Sequence, residues 1–181
     1  MMALSLVLID LQAGFCEPAW GTRSNPALEK NVAALLAAFR GARLPIFHLR
    51  HDSLDPDSPL KRGQPGFAFL PEAEPLGGER VFTKRRHAAF VGTRLASALR
   101  GLGRPIFAGL TADHCVSTSV RLAHDLGFQP FVVADAVATF PRRGPSGKRF
   151  AAREVQDAAL ASLAEEFAEI TYTKHLVRIL R

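Results

Sequence analysis

Cysteine is scarce in this chain: 181 residues hold only two, Cys16 and Cys115. They could close one bridge, but a chain of this length can bury a sizeable core without it. No basic flank and no cleavage site mark the N-terminal apolar stretch as an export signal, so nothing predicts an oxidising compartment. Both are read as free thiols. Long apolar runs are lacking as well: "ALSLVLIDLQ", residues 3–12, is interrupted by an acid and falls short of the ~20 residues a bilayer crossing needs. These absences predict a soluble, cytoplasmic protein without a membrane partner. Internal repeats and low-complexity segments are missing too, which excludes solenoids and arrays. At 48% hydrophobic residues, one domain over residues 1–181 is expected.

A concentrated basic face is also absent. Lys and Arg number 23 against 17 Asp and Glu, a net charge of +6, which invites a nucleic-acid reading. Yet the cations are scattered, with short knots at Lys84-Arg85-Arg86 and Arg142-Arg143. No helical face carries a basic stripe interleaved with aromatics. The charge reads as a solvated surface, and no nucleic-acid partner is expected.

What the sequence does contain is alternation. "ALSLVLID" (3–10) reads as a buried strand, continuous in apolar residues and closed by an acid. A helix follows in 25–43, with Asn25 as N-cap, Pro26 in the first turn, Leu28, Val32, Leu35, Leu36 and Phe39 on one face, and Gly41 at its end. Strands are then expected at 44–51, 79–84, 104–110, 129–136 and 169–173, and helices at 90–102, 115–127, 150–168 and 174–180. Residues 52–78, rich in Pro, Gly and Asp without periodicity, read as a long ordered loop over a site. The βαβα succession predicts an α/β fold of three α/β/α layers: a doubly wound, six-stranded parallel sheet with helices on both faces.

In such a sheet ligands bind beyond the carboxyl ends of the strands, where the strand order reverses. Asp10 closes the first strand, His51 and Asp52 follow the second, Lys84 closes the third, and Cys115 lies just past the fourth in the first turn of a helix. The free N–H groups of that turn favour a thiolate, as does a nearby Lys. They can also hold an oxyanion. Cys115 is therefore placed as a nucleophile, with Asp10 as proton carrier and Lys84 as electrostatic partner. Taken singly, Cys115 reads equally as an inert core thiol, Asp10 as a turn cap and Lys84 as a surface cation.

Five segments in order change that balance: "LVLIDLQAGF", "RHDS", "GERVFTKRRHAAFVGT", "GLTADHCVSTSVRLAHDLG" and "VVADAVATF". Over almost its whole length the chain resembles the isochorismatase-like cysteine hydrolases, the group of nicotinamidases, N-carbamoylsarcosine amidohydrolases, ureidoacrylate amidohydrolases and isochorismatase. The resemblance implies a catalytic triad of Asp10, Lys84 and Cys115. It also implies a cis bond at Leu110–Thr111 that turns the Thr111 N–H toward an oxyanion beside that of Cys115, and a substrate pocket lined by Gln12, Phe15 and Leu110. Relatives are commonly oligomers, so a homodimer or homotetramer is implied. Nicotinamidases that resemble the chain bind a metal through an Asp and two His near strand two; here Asp52 is available, but position 54 is Leu. His87, three residues after Lys84, does not complete a set of three ligands. Neither metal nor other cofactor is expected, and His51 reads as a polar residue facing the pocket or bonded to the loop. Gln156 departs from the His that many relatives carry. Cys16 has no assigned role.

The expected activity is cleavage of a C–N bond in a small amide, carbamoyl or ureido compound through a covalent thioester. Vinyl ether cleavage of the isochorismatase type, which needs no nucleophile, is the alternative within the fold, and a catalytically silent binding or scaffold protein the alternative outside it. Specificity would lie in loops 16–24, 52–78 and 138–150, in which Arg142, Arg143, Lys148 and Arg149 read as solvating cations rather than contacts to an anionic substrate.

Overall fold

In the computed structural model, which describes residues 4–181, the first strand runs along the centre of the molecule. The strand β1 (Leu4–Ile9) is buried on both faces, which is why its sequence is continuously apolar rather than alternating. The alternation survives in where the side chains go. Leu6 and Leu8 pack into one core with Leu28, Val32, Leu35 and Phe39, whereas Val7 and Ile9 pack into a second with Leu95, Leu99, Val120 and Leu163. A strand with period two between two helical layers produces this division.

The remaining strands are β2 (Ile46–His51), β3 (Arg80–Lys84), β4 (Arg104–Leu110), β5 (Phe131–Ala138) and β8 (Glu169–Thr171), the short hairpin β6 (Arg142–Arg143) and β7 (Arg149–Phe150) intervening. The six-stranded sheet is parallel throughout, in the order β3-β2-β1-β4-β5-β8. The order reverses between β1 and β4, so a crevice opens past their carboxyl ends. Helices α1 (Leu28–Gly41) and α5 (Thr173–Ile179) contribute to one core, and α2 (Leu95–Leu99), α3 (Ser117–Asp125) and α4 (Ala152–Leu163) to the other. The expected doubly wound α/β/α sheet is the observed one.

Boundaries differ where tertiary contacts and special backbone intervene. Ala3, the first residue of the expected first strand, lies outside the described residues. Asn25 accepts the Ala27 N–H, but its amide also reaches the carbonyls of Asp135 and Val137, so it docks the helix on β5 and α1 begins at Leu28. The helix expected over 90–102 shrinks to α2: Gly92 takes φ 73°, and Thr93 turns the chain by bonding Ala89 O and the Leu95 N–H. The helix expected over 150–168 ends at Leu163, because Ala164 is extended and Glu165 takes φ 68°. The β6–β7 hairpin in loop 138–150 was not expected; two-residue strands leave no periodicity to read.

Candidate active site

Parallel pairing delivers the site. Register sets His51 opposite Lys84 across β2 and β3, and Ile9 opposite Gly109 across β1 and β4. Asp10, the residue after β1, takes φ 49°, the left-handed region that costs a side-chain-bearing residue of order 1–3 kcal/mol and persists only where the surroundings enforce it. Lys84 Nζ lies 2.6 Å from Asp10 Oδ2, 3.3 Å from Cys115 Sγ and 3.4 Å from His51 Nδ1. The Asp10–Lys84 pair is fully buried. A buried ion pair of this kind is weak evidence of stabilisation, and its position against a thiol makes it a candidate for chemistry.

Cys115 does not sit in an ordinary first α-turn. Residues Ala112–Val116 form a π-turn that leads into α3, and the bond Leu110–Thr111 is cis. Such single π-turns are frequent at functional sites. Within this one, Ser119 Oγ donates to Cys115 O and accepts the Ala89 N–H, fixing the turn to the loop after β3.

The charges of the triad settle in one direction. Burial works to discharge Lys84, but Asp10 and Cys115 beside it together outweigh that and hold its pKa above the usual lysine value. Burial pushes the Cys115 thiol up, Asp10 pushes it further, and Lys84 offsets only part. Burial beside Asp10 thus favours the thiol form over the preformed thiolate that a helix N-terminus suggests. Asp10 Oδ1 is buried without a hydrogen-bond partner, and a carboxylate oxygen of Asp10 lies within 4.8 Å of Cys115 Sγ. Asp10 thus keeps one carboxylate oxygen unengaged beside the thiol.

Asp10 and Cys115 line a cavity of about 180 Å³, with Lys84 buried behind them. Phe15, Trp20 and Leu60 make its apolar wall, and His51, His87, His114 and Arg142 its polar one, with Thr111 beside Cys115. Phe15, expected to line a substrate pocket, is on the wall of this cavity. Gln12 and Leu110 do not line this cavity, which corrects that expectation. Gln12 is fully buried: its amide donates to the carbonyls of His51 and Phe67, and its Oε1 accepts the His51 N–H at 2.7 Å. It ties the end of β2 to the loop above. Leu110 is wholly in the core. Cys16 is an exposed free thiol. A larger open depression, about 600 Å³, lies at the opposite, amino-terminal edge of the sheet around Arg104, Pro130 and Glu169, remote from the triad.

Asp52, the one residue matching a metal-ligand position, is otherwise engaged. Burial works against its charge, but the Arg62 N–H and the Arg85 guanidinium hold its carboxyl below the ordinary value. Asp10, His51 and Cys115 do present three ligand atoms within 4.8 Å of one another, yet Lys84 Nζ is in hydrogen-bond contact with all three. An ammonium holds the point a cation would need.

Other contributors escaped sequence reasoning. Asp113 accepts from Thr139 Oγ1 and pairs with Arg142 at 2.7 Å, bracing the π-turn against the strand end and hairpin. Arg142 is therefore neither a free solvating cation nor an unpaired anion receptor. Gln156 donates to Ala134 O and accepts from Ser24 Oγ, which accepts the Thr139 N–H, so it holds α4 and loop 16–24 to β5. His87, His114, Trp20 and Leu60 carry no spacing signal that would place them together.

Comparison with known proteins gives a consistent result. The isochorismatase domain family matches residues 5–175. The isochorismatase family protein YrdC of Bacillus subtilis is 31% identical, over 96% of this chain and 94% of its own. A crystal structure of an isochorismatase-family protein from Chromobacterium violaceum superposes with a TM-score of 0.94 at 39% identity, covering 97% of this chain and 92% of that one. A shorter similarity, 33% over 79 residues, relates 42% of this chain to 32% of the ureidoacrylate amidohydrolase RutB of Serratia proteamaculans.

Proposed function

Since the chain belongs to the isochorismatase family, whose members are hydrolases, we propose that it is a cysteine hydrolase that cleaves the C–N bond of a small amide, carbamoyl or ureido compound. The observation that carries this reading is the contact of Lys84 Nζ with both Asp10 and Cys115, two residues that line a cavity of a size for a small molecule. A vinyl ether hydrolase needs no nucleophile, and a silent scaffold has no use for a buried ion pair against a thiol.

In the proposed reaction Asp10 takes the Cys115 proton and the sulfur attacks the carbonyl carbon. The N–H groups of Thr111 and Cys115, in the first turn after β4, hold the developing oxyanion. The C–N bond breaks, the amine leaves with the proton, and water hydrolyses the thioester with Asp10 as base. Lys84 compensates the charge on Asp10 and then on sulfur. Phe15, Trp20 and Leu60 exclude water from the acyl group.

The test is a panel of small amides, carbamoyl and ureido compounds against the purified protein and its Cys115→Ala and Cys115→Ser variants. Both variants should fold and lose hydrolysis by at least about 10³-fold, and acylated Cys115 should be detected by mass spectrometry after rapid quench. Turnover by Cys115→Ala near the parental rate would overturn the covalent reading.

A further inference from the structure

The Cys115 sulfur has a second nitrogen neighbour. His87 Nδ1, from the loop after β3, lies 3.5 Å from Sγ, almost as near as Lys84 Nζ at 3.3 Å. The two differ in surroundings: Lys84 is buried and already paired with Asp10 at 2.6 Å, whereas His87 is exposed and lines the cavity. Its ring is held between two others, stacked on His51 with centroids 6.1 Å apart and edge-on to His114 at 5.8 Å. His51 is pushed toward its neutral form by burial and by the Lys84 charge, and His114 is likewise lowered by burial. Neither neighbour therefore brings a competing positive charge of its own. Charged groups near this array are the Asp10–Lys84 pair below, the Asp113–Arg142 pair beside His114, Asp52 with Lys61, Arg62 and Arg85 next to His51, and the exposed Arg86 beside His87.

We propose that His87 is a further catalytic residue: a solvent-facing base that shares the Cys115 proton with Asp10 and carries it to the leaving group. The proposal rests on the cysteine-hydrolase reading. Asp10 can return the proton only from within its buried pair with Lys84, whereas a proton given to His87 sits on an exposed ring of the cavity wall, where the leaving nitrogen departs. In the step, the S–H proton moves to Nδ1 and leaves a thiolate facing the Lys84 ammonium. The C–S bond forms, the C–N bond breaks, and the departing nitrogen keeps that electron pair and takes the proton from the imidazolium. The ring is neutral again. Imidazole is the side chain suited to give and take a proton in the neutral range.

Iodoacetamide tests this without a known substrate. In the full-length Cys16→Ser protein at pH 7, the rate of Cys115 carbamidomethylation is followed by mass spectrometry with His87 intact, as His87→Gln and as His87→Ala. Because His87 is exposed, both variants should keep the parental melting temperature. Each should alkylate about 10²-fold more slowly, the low end of what a positioned base contributes, and added imidazole should restore much of the rate to His87→Ala alone. An unchanged rate in His87→Ala overturns the proposal and leaves the cysteine-hydrolase reading standing, and so does a loss that imidazole does not repair, which would make His87 a structural residue. If Cys115 with His87 intact reacts no faster than free cysteine, both the proposal and the reading on which it rests are overturned.

Discussion

At Lys84 Nζ three acceptors converge, Asp10 Oδ2, Cys115 Sγ and His51 Nδ1, and the chemistry of each depends on the others. The ammonium pairs with Asp10, restrains the rise of the Cys115 pKa and, with burial, favours a neutral His51. Because it also fills the space among the only candidate metal ligands found in the described residues, hydrolysis should survive exhaustive dialysis against a strong chelator. Loss of activity restored by zinc, iron or manganese would contradict this. Gln12 makes a different contribution. Its amide satisfies the His51 N–H and the carbonyls of His51 and Phe67, so Gln12→Ala should lower the unfolding free energy by about 1–3 kcal/mol, the cost of leaving buried polar groups unpaired. Urea denaturation measures that loss. Slower alkylation of Cys115 should accompany it, because His51 and, through it, the His87 ring lose their anchor.

Among the elements, the β1–β4 contact is the least tolerant. Gly109 takes φ 121°, and a Cβ built there would stand 2.0 Å from Ile9 O. No flexible side chain can yield, since the clash is with backbone at the centre of the sheet. Gly109→Ala should therefore destabilise by several kcal/mol, on the order of 3–5, read as a large fall in the denaturation midpoint or as insoluble protein. A stable, soluble Gly109→Ala would mean that β1 and β4 are less closely apposed. The loop over the site depends on a similar approach, Gly66 against Gly14, where a Cβ on Gly66 would meet Gly14 Cα at 2.6 Å and Pro59 O at 2.5 Å. This contact brings the Phe67 and Leu60 segments down beside Phe15.

Across the whole molecule, titration links stability to pH in one direction. Arg40, the Leu76 N–H and His48 overcome the burial of Glu79 and draw its pKa down to about 2. Asp52 and Asp113 are also lowered, against burial, by their N–H and guanidinium partners. A depressed carboxyl pKa contributes stability that is complete above the ordinary value and lost as pH falls through the folded one. His48 is kept neutral chiefly by burial, with Nε2 donating to Glu79 at 2.8 Å. A depressed histidine pKa likewise contributes stability above its ordinary value of 6.5 and loses it on acidification. The melting temperature should fall in two stages as pH is lowered, first below about 6.5 as histidines take up protons in the unfolded chain, then more steeply below about 4.5. A melting temperature that is flat from pH 7 to 4, or that rises, would contradict the assignment. His48→Gln should remove much of the first stage.

The sequence by itself determined the sheet and the place of the candidate site. A buried strand must be apolar on both faces, a helix must repeat at 3.6, and a parallel sheet sets its ligands at the carboxyl ends of its strands; hence Asp10, Lys84 and Cys115 were legible as one site although 105 positions separate the first from the last. These are local constraints on composition and period, and one chain displays them. The bias of the thiol was not legible: a helix N-terminus argued for a thiolate, but burial beside Asp10 raises the Cys115 pKa, and burial is a property of the packed molecule. Nor was the role of Gln12, which sits in a motif yet bonds the backbone of segments 39 and 55 residues away. The imidazoles of His51, His87 and His114 come from three separate segments, and Asp113 meets Arg142 across 29 residues. Such meetings depend on loop paths and on close backbone approaches such as Gly14 to Gly66, which carry no periodicity, so only the tertiary structure decided them.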